Sequence, residues 1–227
     1  MSLYALSDLH LSFSSNKSME VFRGWENYTQ RIEANWKRMV KEEDTVVLAG
    51  DISWGMSLEG ALEDFRFIEA LPGKKIILKG NHDYWWNTMT KMQKFLANNK
   101  LDSITFLHNN CVEVEKFAVC GTRGWLYDGS SQLDQKVIAR ECGRLETSIA
   151  DAVKSGLKPV VFLHYPPVYG EYTSDGILEV LERYSIDQIY YGHIHGSGKN
   201  QAPSQYKNFN MRIISCDCVD FTPIFIG

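Results

Sequence analysis

Thr45 to Asp51 read TVVLAGD: five residues, mostly β-branched or aliphatic, then a glycine and a carboxylate. A short apolar run with no polar alternation suits a strand buried on both faces, and the glycine marks a sharp turn that presents the aspartate at the strand end. The same grammar recurs along the chain. Leu3–Ser7 runs into Asp8-Leu9-His10, and Lys75–Lys79 into Gly80-Asn81-His82-Asp83. Phe117–Gly121 runs into Thr122-Arg123, Val160–Leu163 into His164, and Gln188–Tyr191 into Gly192-His193-Ile194-His195.

Between these runs the apolar spacing changes to a helical period. Tyr28, Ile32, Trp36 and Met39 share one face, Leu58, Leu62 and Phe65 another, and Leu133, Val137, Leu145, Ile149 and Val153 form a longer stripe. Pro72-Gly73 and Gly156 close two of these helices, and Asp175-Gly176 precedes a fourth at Ile177–Tyr184. Strand, helix, strand alternation predicts an α/β sandwich. Met211–Cys218 and Thr222–Ile226 read as a terminal hairpin, with Cys216 and Cys218 on the same side as Ile214. With no repeat, low-complexity tract or linker in its 227 residues, the chain is expected to form one domain over 1–227.

Composition bounds the function. Hydrophobic residues make up 44% and charged residues 23%, ordinary for a globular protein. A net charge of -4 lacks the basic excess that drives nucleic-acid binding, which argues against such a partner. No membrane-length apolar run and no basic-then-apolar leader occur, so a cytoplasmic protein without membrane association is expected. Five cysteines without paired CxxC spacing read as reduced and structural.

In an open α/β sheet the loops at the carboxyl ends of strands converge on one edge, so these polar clusters are expected to meet. Carboxylate, imidazole and amide oxygen are ligands that manganese, iron and zinc accept. Asp8, His10, Asp51, Asn81, His164, His193 and His195 are seven side chains, too many for one ion; with Asp51 bridging they suit two. Five of the six histidines fall in these clusters, His108 being the exception. Such a centre favours an anionic phosphoester, and ions sharing a water can lower its pKa for in-line attack by a bridging hydroxide.

The ordered set DLH, GD, GNHD, a lone His after an apolar strand, and GHIH resembles the signature of the calcineurin-like metallophosphoesterase superfamily over residues 8 to 195. The resemblance implies a four-layer α/β/β/α sandwich of two mixed sheets flanked by helices. It places Asp8, His10, Asp51 and His195 on one ion and Asp51, Asn81, His164 and His193 on the other, manganese first and iron or zinc as alternatives. His82 is left as the catalytic imidazole, with Asp83 expected to orient its ring. Arg123 and Tyr165 are candidate substrate contacts; Trp54, Tyr84, Trp85, Tyr169 and Tyr172 either rim the site or finish the core. GDISWGM and GNHD depart from the DRG and GNHE of protein Ser/Thr phosphatases, which points to a small-molecule phosphomonoester or phosphodiester, nucleotides included. The loop Ser12–Gly24 is the candidate for setting specificity. The other readings are a non-catalytic module that keeps the fold, and a nuclease.

Overall fold

A computed structural model describes residues 1–125 and 132–227. In chain order the first half forms β1 (Leu3–Leu6), α1 (Tyr28–Met39), β2 (Thr45–Leu48), α2 (Leu62–Glu69), β3 (Lys74–Ile77), α3 (Met89–Asn99) and β4 (Ile104–Phe106). The second forms β5 (Val112–Val114), β6 (Phe117–Thr122), α4 (Gln132–Lys154), β7 (Lys158–Leu163), β8 (Val168–Tyr169) and β9 (Tyr172–Thr173). It ends with α5 (Asp175–Arg183), β10 (Gln188–Tyr191), β11 (Gln205–Tyr206), β12 (Phe209–Ile213) and β13 (Ile224–Phe225).

One sheet has the order β13-β1-β2-β3-β4, parallel from β1 to β4 and closed by antiparallel β13. The other is β11-β12-β10-β7-β6-β5, parallel in its four central strands and antiparallel at both edges. Both are therefore mixed. Three apolar clusters explain the layering. Leu3, Ala5, Val47 and Ile76 of the first sheet meet Val119, Val160 and Phe162 of the second between the sheets. The other faces carry Leu6, Val46 and Leu48 to Ile32, Trp36 and Phe65, and Val161, Leu163 and Ile189 to Leu145, Ile149 and Leu181. Because each central strand is covered on both sides, its sequence is a continuous apolar run, and the expected four layers form. Among the described residues no helix is long and apolar enough to cross a membrane.

The terminal hairpin does not form. β12 pairs with β10 in one sheet and β13 with β1 in the other. Between them a 3-10 turn, Cys216–Val219, carries the chain across the sheet ends, tied by Ser7 N–H to Ile214 O (2.9 Å) and Cys216 N–H to Ser7 O (3.0 Å). Cys216 consequently packs with the helices over the first sheet while Ile214 lies between the sheets, so the two do not share a side. All five cysteines are free.

Candidate metal centre

The carboxyl ends of β1, β2, β3, β7 and β10 meet at one edge and bring together all seven expected donors. Asp8, His10 and His195 form one group and Asp51, His164 and His193 another, with ligand atoms inside each group within 4.8 Å of one another. Asn81 joins the second: its Oδ1 lies 2.7 Å from His164 Nε2 and 2.9 Å from His193 Nδ1. Asp51 faces both groups, Oδ1 lying 3.5 Å from His164 Nε2 and Oδ2 3.8 Å from His10 Nε2.

The backbone is bent to achieve this. Asp8, His10, Asp51 and His193 all take positive φ, between 46° and 70°, at a cost on the order of 1 kcal/mol each. Such strain persists only where surrounding structure over-determines it. Two glycines make the closeness possible. A Cβ on Gly80 would stand 2.1 Å from Asp51 Oδ1, and one on Gly192 2.4 Å from Asp8 Oδ2. Through Gly192 the His193 N–H also reaches both Asp8 oxygens, at 3.1 and 3.0 Å.

Hydrogen bonding outside the cluster fixes which imidazole nitrogens face inward. His164 Nδ1 lies 3.0 Å from the Ala49 carbonyl, which only accepts, so Nδ1 carries the proton and Nε2 presents a lone pair. That lone pair faces Asn81 Oδ1 and Asp51 Oδ1, themselves acceptors. In the other group His195 Nδ1 donates to Asp217 Oδ1 at 2.8 Å, turning Nε2 toward Asp8 Oδ1 (3.5 Å) and His10 Nε2 (3.4 Å). Acceptors gathered against acceptors in a buried place are what a cation satisfies. This donor set therefore fits two divalent ions of the kind that take nitrogen and oxygen ligands.

Electrostatics agree. Burial pushes His10 and His164 down to about 3 and His193 to about 4, keeping them neutral and able to ligate. Asp51 is pushed up to about 9, by burial first and then by the charges of Asp8 and Asp83. Burial would raise Asp8 too, but the hydrogen bond and charge of His195 hold it well below the usual carboxylate range. His195 resists its own burial through Asp217 and Asp8 and rises to about 10. A divalent ion there competes with that proton.

Asp83 and Asp217 differ from expectation. Asp83 does not reach the His82 ring. It is buried and accepts N–H bonds from Asp51 (3.0 Å), Ile52 (2.8 Å) and Gly80 (2.7 Å) and from Trp85 Nε1 (3.0 Å), so it fixes the loops that carry Asp51 and Asn81. The His82 ring instead packs on Trp54 (centroids 4.6 Å apart), with Tyr84 Oη 3.5 Å from its Nδ1. Trp85 belongs to the core, fully buried against Phe65. Asp217, absent from the expected set, holds His195 with one oxygen and the Gly196 N–H with the other (2.7 Å). Its only sequence signal was an acidic residue between two cysteines after the last parallel strand.

Tyr165 lies against His193, ring centroids 4.3 Å apart, whereas the Arg123 guanidinium turns toward Trp125 and Glu141. Loop Ser12–Gly24 reaches the same edge: Lys17 Nζ sits 5.2 Å over Trp54, whose ring stacks on His10 at 5.1 Å. Phe13 N–H bonds Asp64 Oδ1 at 2.8 Å and anchors the start of that loop to α2.

The family model described as calcineurin-like phosphoesterase matches residues 1–197. No curated protein matches the chain. Among solved structures, a protein of unknown function from Aquifex aeolicus is 17% identical with a TM-score of 0.54, covering 99% of this chain and 95% of that one. The phosphopantetheinyl hydrolase of Mycobacterium tuberculosis is 13% identical with a TM-score of 0.50, covering 94% and 88%. A Thermus thermophilus protein is 11% identical with a TM-score of 0.55, covering 85% and 81%. At these identities the likeness is one of fold.

Proposed function

The chain belongs to the calcineurin-like phosphoesterases, a family of metal-dependent enzymes, and from that premise we propose that it hydrolyses a small-molecule phosphomonoester or phosphodiester at a dinuclear centre. The observation that carries this reading is Asp51, whose two carboxylate oxygens face separate donor groups. Asp8, His10, Asp51 and His195, and Asp51, Asn81, His164 and His193, would hold two divalent ions, manganese first, which would supply Lewis-acid charge for the phosphoryl oxygens and a water activated near neutral pH.

The protein's own part is orientation. Ala49 and Asp217 fix two imidazoles, Asp83 fixes the Asp51 loop, and the left-handed residues hold donors in place before any ligand arrives. Preorganised groups of this sort need no rearrangement during reaction. Burial lowers His82 from the ordinary imidazole value, so it is neutral at pH 7. It then acts as an N–H donor to the leaving-group oxygen as charge develops there, with the tilted Trp54 ring packed against it to hold the ring.

The test is hydrolysis of bis(p-nitrophenyl) phosphate and p-nitrophenyl phosphate by chelator-treated protein, with and without manganese. Restored turnover is expected, falling about 100-fold in His82→Ala while bound metal is unchanged. Folded, metal-loaded protein that cleaves neither ester, nor any of a panel of phosphorylated metabolites, would transfer the chain to the non-catalytic reading.

A further inference from the structure

Next to the donor cluster, Arg123 follows β6 directly, and its carbonyl accepts the N–H groups of His164 (3.1 Å) and Tyr165 (2.8 Å). Its guanidinium stacks over Trp125 at 4.9 Å. Among the described residues the carboxylate oxygen paired with it, Glu141 Oε1, is 3.8 Å away, beyond hydrogen-bond reach, and the buried Nε has no partner. Glu141 is fully buried and already committed, accepting from Thr122 Oγ1 at 2.6 Å and from Arg144 Nη1 at 2.7 Å.

Lys79, two residues before Asn81, borders the same cleft together with Arg123, Arg144 and the neutral His108. Among the described residues, these three cationic side chains thus share one carboxylate in the cleft. Asp83 is held by its backbone donors, and among the described residues no carboxylate other than Glu141 lines the cleft. Half-buried positive charge in excess of its counter-ion is costly, and guanidinium groups with free donors match phosphate oxygens.

The cleft holds only about 20 Å³, room for a water, so only its mouth could take an anion. From that mouth an aromatic wall leads back to the centre: Trp125 lies 5.5 Å from Tyr165, and Tyr165 lies 4.3 Å from His193.

We propose that Lys79, Arg123 and Arg144 form an anion subsite that takes a second phosphoryl group of the substrate, with the Trp125–Tyr165 wall covering the part between the two. The inference rests on the phosphoesterase reading of the neighbouring centre, and it makes the substrate a small molecule carrying two phosphates.

Calorimetric titration of the manganese-loaded protein with a non-hydrolysable alkane bisphosphonate of four-carbon spacer, against the matching monophosphonate, tests it. The bisphosphonate is expected to bind about tenfold more tightly or better. That preference should fall below about threefold in Arg123→Gln and in Lys79→Gln, with the monophosphonate affinity within about threefold of wild type. Melting curves establish that each variant is folded, and either folded variant suffices. No preference in the wild type, or a preference that survives both substitutions, overturns the subsite. Because binding is read without turnover, the two readings fail separately. Metal-dependent ester hydrolysis without the preference removes the subsite alone; the preference without hydrolysis removes the catalytic assignment of the centre.

Discussion

The two halves of the donor cluster reach the same imidazole geometry by different means. His164 has no exposed side-chain surface, and a main-chain carbonyl, that of Ala49, sets its tautomer. His195 keeps 32% of its side chain exposed and depends on one carboxylate, Asp217, delivered by the turn that crosses between the sheets. The first arrangement comes with the strands themselves, since Ala49 ends the β2 run. The second hangs on a single side chain beyond the last parallel strand. A half held by backbone is expected to keep its ion more tightly than one held by a side chain near solvent.

Substitutions that break both halves together should have the largest effect. Asp51→Asn leaves one oxygen to serve two groups, and metal analysis should find both ions lost along with turnover. Asp83→Asn comes next. Its amide places a donor against N–H donors now bonded to carboxylate oxygens, which should cost about 3 kcal/mol in denaturant unfolding and weaken the half containing Asp51. Asp217→Asn sharpens the contrast. It should lower the affinity of the Asp8, His10 and His195 half by about 10- to 100-fold, leaving the other half within a few-fold. The smallest effect is expected for Tyr84→Phe. Its 3.5 Å contact with His82 is too long for a strong hydrogen bond, so kcat should change by no more than about threefold.

What the sequence made legible follows the same divide. Buried parallel strands announce themselves as unbroken apolar runs, and each donor sits within a few residues of one, so β1, β2, β3, β7 and β10 and the seven donors could be read together. α3 went unread because Met92, Phe95 and Leu96 are spaced among lysines and asparagines, and β4 because three residues carry no period. The terminal hairpin misled because adjacency in sequence suggests pairing, whereas the first sheet lacked an edge partner for β1 and recruited β13 to fill it. Adjacency in sequence pairs Asp83 with His82, yet a buried carboxylate with four N–H groups in reach serves the loops instead. Asp217 acts on His195 from 22 positions away, a contact no local pattern encodes.

The most direct measurement is a calorimetric titration of manganese into chelator-treated wild type and Asp217→Asn, with ester hydrolysis followed at each addition. Two binding events are predicted in the wild type, turnover appearing only with the second and weaker one, and in Asp217→Asn that weaker event alone should move to higher concentration. A single event that restores full turnover, or two events weakened equally by Asp217→Asn, would contradict a dinuclear centre with differently held halves.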